Sequence, residues 1–151
     1  MSIPDLLPRN AICVPLEVSD KQEAIDLLID QLANGNHIDD ADEMKRVVWD
    51  RESQRSTGIG EGLAIPHGKS PDLVRLVMAI GVLAEPIDFD SIDGKPVRLI
   101  ALLLSPANRI GDHIQALGRI SRLMANPTVR EAAYCATSPE ELYELIERAS
   151  N

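Results

Sequence analysis

The sequence predicts an α/β sandwich, a single domain over residues 1–151 with a mixed central sheet flanked by helices. Helical periodicity marks the first third of the chain, a Val/Ile/Leu-rich middle follows from Leu63 to Leu104, and helical periodicity then returns. A length of 151 residues at 44% hydrophobic content suits one unit that buries most of its apolar surface.

Ser19, with Gln22 three residues on, predicts a capped helix start; Ala24, Ile25, Leu28 and Leu32 recur at helical spacing until Asn34-Gly35 ends the run. A second helix is expected from the acidic Asp39-Asp40, with Met44, Val47 and Val48 on one face and an end near Ser53. Leu63-Ala64-Ile65-Pro66, Leu73 to Leu83 and Val97 to Leu104 read as strands, the last two apolar enough to be covered on both faces. Pro86 to Asp90 and Asp93-Gly94-Lys95-Pro96 supply turn chemistry between them. After Ser105-Pro106, the residues Ile114, Leu117, Ile120, Ser121 and Leu123-Met124 make an amphipathic helix that Asn126-Pro127 ends. Two shorter helices follow, one from Pro127 to Ala136 and one opened by the cap and proline of Ser138-Pro139-Glu140-Glu141.

Composition narrows the function classes. A formal charge of −9 and a pI near 4.7 argue against nucleic acid as a partner, since a phosphate backbone needs a concentrated Lys/Arg face. An aromatic content of 3% leaves few rings to stack on bases. No uninterrupted apolar run reaches the roughly 18 residues of a membrane span, and the opening Met1-Ser2-Ile3-Pro4-Asp5 lacks a signal peptide's basic and apolar regions, so a cytoplasmic protein without membrane insertion is expected. Cys13 and Cys135 are too few for a disulfide framework or a cysteine zinc site and are expected as buried or semi-buried free thiols.

The segment from Arg51 to Lys69 is the most unusual. Gly58, Gly60 and Gly62 alternate before a strand-like run that delivers His67 between Pro66 and Gly68. Such a loop fits a tight turn before a strand, and it equally fits a ligand approaching the backbone. Two nucleotide motifs fail here. A P-loop needs a glycine where Leu63 stands and a helix after Gly68-Lys69-Ser70, where Pro71-Asp72 follow; a dinucleotide fingerprint needs its third glycine where Leu63 stands.

The three histidines divide by context. A neutral imidazole is a competent nucleophile near pH 7, which makes His67 a candidate acceptor, although a structural or surface role is open to it as well. His37 lies at the Asn34-Gly35-Asn36 helix exit, where a cation is favoured for structural reasons. His113, in Gly111-Asp112-His113-Ile114, opens a helix whose dipole favours an anion, so a phosphoryl group beside it would be welcome; a plain surface position remains open.

Arg51-Glu52, Ser56-Thr57-Gly58-Ile59-Gly60 and Gly62 to His67 together resemble the phosphorylation-site signature of the enzyme IIA components of the bacterial phosphotransferase system, in the class with fructose, mannitol and nitrogen-regulatory members. Similarity continues through Pro86 to Val97, the strand exit Leu102 to Pro106, His113 to Leu123 and Ser138 to Ile146, which covers nearly the whole chain. The resemblance implies the mannitol/fructose-type enzyme IIA fold. It further implies that His67 accepts a phosphoryl group from the histidine carrier HPr or its nitrogen-branch counterpart. His113 would then stabilise the phosphoryl group or orient His67, and Arg51 would offset charge on the transferring oxygens. Thr57 and the glycine-loop amides are weaker candidates to position the ring. Regulatory target proteins or an enzyme IIB would be the downstream partners, and no cofactor or metal is implied. Ile114 and Gly118 depart from the family's usual residues without touching a reacting group.

The absence of an appended permease or enzyme IIB segment in these 151 residues, with the similarity around Pro86 to Val97 and Ile120 to Leu123, leads us to expect a stand-alone carrier of the nitrogen-regulatory branch. The alternatives are a sugar-specific enzyme IIA feeding a separate permease and a binding module that keeps the fold without phosphorylation. A zinc enzyme using His67 and His113 lacks further ligands at zinc spacing.

Overall fold

The computed structural model describes residues 2–150. A short helix α1 (Ile3–Leu6) and a 3-10 turn (Arg9–Ala11) lead into the edge strand β1 (Ile12–Leu16), followed by helices α2 (Lys21–Asn34) and α3 (Ala41–Gln54). Five strands come next: β2 (Gly58–Gly60), β3 (Leu63–Ala64), β4 (His67–Ser70), β5 (Val77–Ile87) and β6 (Val97–Pro106). The chain closes with α4 (Ile110–Ala125), α5 (Pro127–Tyr134) and α6 (Pro139–Ala149). The sheet is mixed and runs β1-β5-β6-β3-β2, with β4 also on β6; β5 and β6 are antiparallel, while β1 joins β5 and both β3 and β4 join β6 in parallel.

Successive strand residues point to opposite faces, and that alternation builds two cores. Met78, Ile80 and Val82 of β5 with Leu99, Ala101 and Leu103 of β6 face α1, α4, α5 and α6. Val77 and Ala79 with Ile100, Leu102 and Leu104 face α2 and α3. Both central strands are therefore apolar on each side, as the sequence implies, and the molecule is the expected three-layer α/β sandwich.

Several boundaries differ, each for a local reason. Asp20 rather than Ser19 caps α2, because its carboxylate accepts from the Glu23 amide at 2.8 Å. β5 begins at Val77, not Leu73: the Leu73 amide turns back to the Ser70 carbonyl and the Asp72 amide to the Ser70 hydroxyl, which makes a turn of that stretch. Pro86 and Ile87 belong to β5, where the register slips between Val82 and Ile87 and no ladder bond is asked of the proline. On α4 the buried face is His113, Ala116, Ile120 and Met124, while Ile114 is 63% exposed; the sheet takes the stripe that carries the histidine rather than the isoleucine. In α6, Ser138 caps the Glu141 amide as expected, but the Glu141 carboxylate reaches back to Thr137. Cys13 is half-buried and Cys135 exposed, so the second thiol is more open than expected; both are free.

Candidate active site

His67 owes its orientation to the residue after it. A Cβ on Gly68 would stand 3.0 Å from Val47 and Val48 of α3, so that position faces the α2/α3 layer. His67, one residue earlier in β4, therefore faces the α4 layer. Pro66 keeps the strand joined to the sheet through its carbonyl, which accepts from the Leu103 amide at 3.0 Å. The ring is fixed at one nitrogen: Nδ1 lies 2.9 Å from the Ile65 carbonyl. A carbonyl only accepts, so Nδ1 carries the proton and Nε2 holds the lone pair. Nε2 makes no protein hydrogen bond and is not among the enclosed unpaired polar atoms of the described residues, so it opens to solvent. Burial, with Arg51 and Lys69 nearby, pushes the His67 pKa below its ordinary value and keeps the ring neutral near pH 7.

His113 comes from the first turn of α4. Its ring meets that of His67 with centroids 5.3 Å apart and planes at 62°. Its Nδ1 is 2.6 Å from the hydroxyl of Ser105, a fully buried residue at the end of β6 on the face that Leu103 also presents. Burial, with the neighbouring His67 and Lys69, pushes its pKa down to about 4, so this imidazole too is neutral near pH 7.

Arg51, in the last turn of α3, lines a cleft of about 460 Å³ together with His67, Thr57, Ile59, Ile92 and Leu117. One guanidinium nitrogen donates to the Arg55 carbonyl at 3.1 Å, and the group enters no ion pair among the described residues, which leaves donors for an incoming anion. The three residues singled out by sequence thus gather at one place: His67 and His113 in ring contact, and Arg51 across the cleft wall from His67. His37 has a structural place at the helix exit, its amide donating to the Leu32 carbonyl at 2.9 Å and its Nε2 meeting the Asn10 side chain at 2.8 Å.

Thr57 has a different part from the one expected. Its amide donates to one oxygen of Glu52 at 2.9 Å and its hydroxyl to the other, so it does not reach for a ligand. The Glu52 carboxylate is fully buried and meets Lys21 at 3.5 Å, and Lys21 also meets Asp90 at 3.3 Å. The Gly58 amide turns to Ser56 and the Glu61 amide to Asp93, so these two amides also shape the loop rather than an anion site. At its far end the phenol of Tyr134 donates to the Glu61 carbonyl at 2.6 Å, while Gly60, Glu61 and Gly62 all take positive φ.

Sequence reasoning missed Ser105, Glu52, Tyr134 and Lys69. A serine closing the apolar run of β6 and a glutamate beside Arg51 in a helix were visible signals; nothing in the local sequence joins Tyr134 to Glu61. Among the described residues, no three His, Cys, Asp or Glu side chains converge as a metal would require, and no helix is long and apolar enough to cross a membrane.

The family model for the phosphoenolpyruvate-dependent sugar phosphotransferase system, EIIA 2, matches residues 5–149. A nitrogen regulatory protein from Bradyrhizobium diazoefficiens is 34% identical over 97% of this chain and 95% of its own length. A fructose-specific EIIABC component of the same phosphotransferase system, from Bacillus subtilis, is 32% identical over 97% of this chain, which spans only 23% of that relative. The crystal structure of nitrogen regulatory protein IIA-Ntr from Neisseria meningitidis superimposes with a TM-score of 0.88 at 30% identity, over 95% of this chain and 98% of that one.

Proposed function

Because the chain belongs to the EIIA 2 family of the phosphoenolpyruvate-dependent sugar phosphotransferase system, we propose that it is a cytoplasmic phosphohistidine carrier, one domain over residues 1–151, with His67 as acceptor. The single observation that carries the reading is the His67 ring itself: Nδ1–H is held by the Ile65 carbonyl, Nε2 is left without a protein partner, and the residue lines the same cleft as Arg51. In the step envisaged, that lone pair attacks the phosphorus of a donor phosphohistidine on HPr or its nitrogen-branch counterpart. The new N–P bond forms as the donor's N–P bond breaks, and the departing electron pair returns to the donor ring. Arg51 offsets charge on the transferring oxygens, and His113 steadies the phosphoryl group on its new nitrogen. The protein's contribution is position and charge, which is what phosphoryl transfer chiefly requires.

The similarity along nearly the full length of a nitrogen regulatory protein supports a mainly regulatory role, read by downstream target proteins. The fructose-specific relative supports a second reading, in which the phosphoryl group passes to an enzyme IIB of a sugar permease. The test is incubation with phosphoenolpyruvate, enzyme I and HPr, followed by mapping of the modified residue. Modification at His67 is expected; an unmodified His67 leaves a binding module of the same fold. Adding candidate enzyme IIB proteins to the labelled protein separates the readings, since only the transport reading expects rapid discharge.

A further inference from the structure

We propose that Ser105 is a positioning residue for this site: its hydroxyl donates to Nδ1 of His113, which sets that imidazole in the tautomer with its proton on Nε2. The inference rests on the reading of His67 as phosphoryl acceptor. Its geometry comes from the register of β6, where Ser105 continues the face of Leu103, and from the first turn of α4, where His113 turns its ring onto that face.

The direction of the 2.6 Å bond follows from counting protons. Ser105 is fully buried and its hydroxyl has no other partner among the described residues. Had it accepted a proton from Nδ1–H, its own O–H would be left in the interior without an acceptor. An unmade bond of that kind costs about 1–3 kcal/mol. Donation to Nδ1 satisfies both groups, because a neutral imidazole has one bare nitrogen to offer. The ring proton then sits on Nε2. That nitrogen has no protein partner and is not among the enclosed unpaired polar atoms, although His113 is only 4% exposed, so the sliver of ring that remains open includes it.

The consequence is chemical. A phosphoryl group carries only acceptor oxygens, so a neutral histidine helps it through an N–H and opposes it through a bare lone pair. Burial keeps His113 neutral, and it cannot present both nitrogens as donors without taking a charge. Ser105 thus makes the neutral ring a donor on its open edge and holds it at a fixed angle to His67.

Nitrogen-15 spectra of the free, unsubstituted protein read the tautomer directly and need no phosphoryl donor. The expected result is a protonated Nε2, a bare hydrogen-bonded Nδ1 and a slowly exchanging Ser105 hydroxyl proton; a proton on Nδ1 overturns the proposal. In transfer assays from phosphorylated HPr, S105A should slow labelling of His67 about tenfold, the worth of one hydrogen bond to the ring, and S105T should restore most of the rate. In an H113Q background S105A should cost nothing further, since no imidazole is left to hold. A similar loss there, or an S105A rate equal to that of the unsubstituted protein, overturns the positioning role. Failure of His67 to label at all sinks the carrier reading, while the spectra still decide the tautomer.

Discussion

The imidazoles of His67 and His113 meet edge to face, with ring centroids 5.3 Å apart and planes inclined by 62°. One is fixed through Nδ1 to the Ile65 carbonyl and the other through Nδ1 to Ser105, so each ring has its Nε2 free of protein partners. Burial keeps both rings neutral at pH 7, and the neighbouring His67 further disfavours a proton on His113. A neutral pair suits a site in which one ring attacks and the other donates.

His67→Ala should abolish labelling in the phosphoenolpyruvate-driven assay, because it removes the attacking nitrogen. His113→Ala should still accept the phosphoryl group but pass it on poorly, about ten- to a hundredfold more slowly, on the scale of a lost donor to a transferring oxygen. Single-turnover discharge of the labelled protein measures the second effect. Slower acceptance by His113→Ala fits a donor that aids the first transfer, as the Ser105 variants also probe; equal and complete loss of acceptance in both variants would mean that His113 is indispensable to it.

Acid should destabilise the fold over a defined window. The His113 pKa lies near 4 when folded and near the ordinary 6.5 when unfolded, so between those values the unfolded chain binds more protons. Stability is then full above about pH 6.5, falls as pH drops toward 4, and loses no more from this group below that; the ceiling is on the order of 3 kcal/mol. His67 acts in the same direction. Urea titrations from pH 7 to 4 should show the slope, and His113→Gln should flatten it.

Much of this architecture was legible because hydrophobic period is a local property. The two helices before the sheet, the buried strands β5 and β6 and the capped α6 follow from patterns of 3.6 and 2 residues. β1 and β2 were not legible: β1 is a five-residue edge strand containing Pro15, and β2 is a three-residue strand of which two are glycine. At the site, local context made His67 and His113 candidates and the resemblance to the family signature singled them out together with Arg51, whereas Ser105, Glu52 and Tyr134 act through partners set by strand register and helix packing. The outward Ile114 shows the same limit, since periodicity allowed two neighbouring stripes on α4 and the bond between Ser105 and His113 accompanies the one that is buried.

Glu52 should be among the costliest polar positions to change. Its carboxylate is buried, accepts both the amide and the hydroxyl of Thr57, and meets Lys21. Glu52→Ala leaves the two Thr57 donors without their acceptor and Lys21 with only the exposed Asp90, and about 3–5 kcal/mol is the expected loss for breaking such a buried cluster from one side. Lys21→Met should cost less, because the Thr57 bonds remain. Since Thr57 leads into the glycine loop and Arg51 adjoins Glu52, the Glu52 variant should also label slowly where it folds; thermal unfolding and initial labelling rates check the two effects separately.

Tyr134 ties α5 to the turn before β3, and two substitutions probe that tie from opposite sides. Tyr134→Phe keeps the ring but deletes the bond to the Glu61 carbonyl, and because the contact is only partly buried the expected loss is about 1 kcal/mol. Gly62→Ala should cost more, roughly 2–3 kcal/mol, because φ at this position is +83° and the added Cβ would sit 3.2 Å from the tyrosine ring. The phenol also sets an alkaline signature. Burial pushes its pKa up to about 12 from an ordinary 10, so the unfolded chain gives up that proton first and stability falls as pH rises from 10 toward 12. Tyr134→Phe should be less stable than the unsubstituted protein at pH 8 and should lose less on going to pH 11. A parallel decline in both proteins would show that the phenol is not what holds the turn.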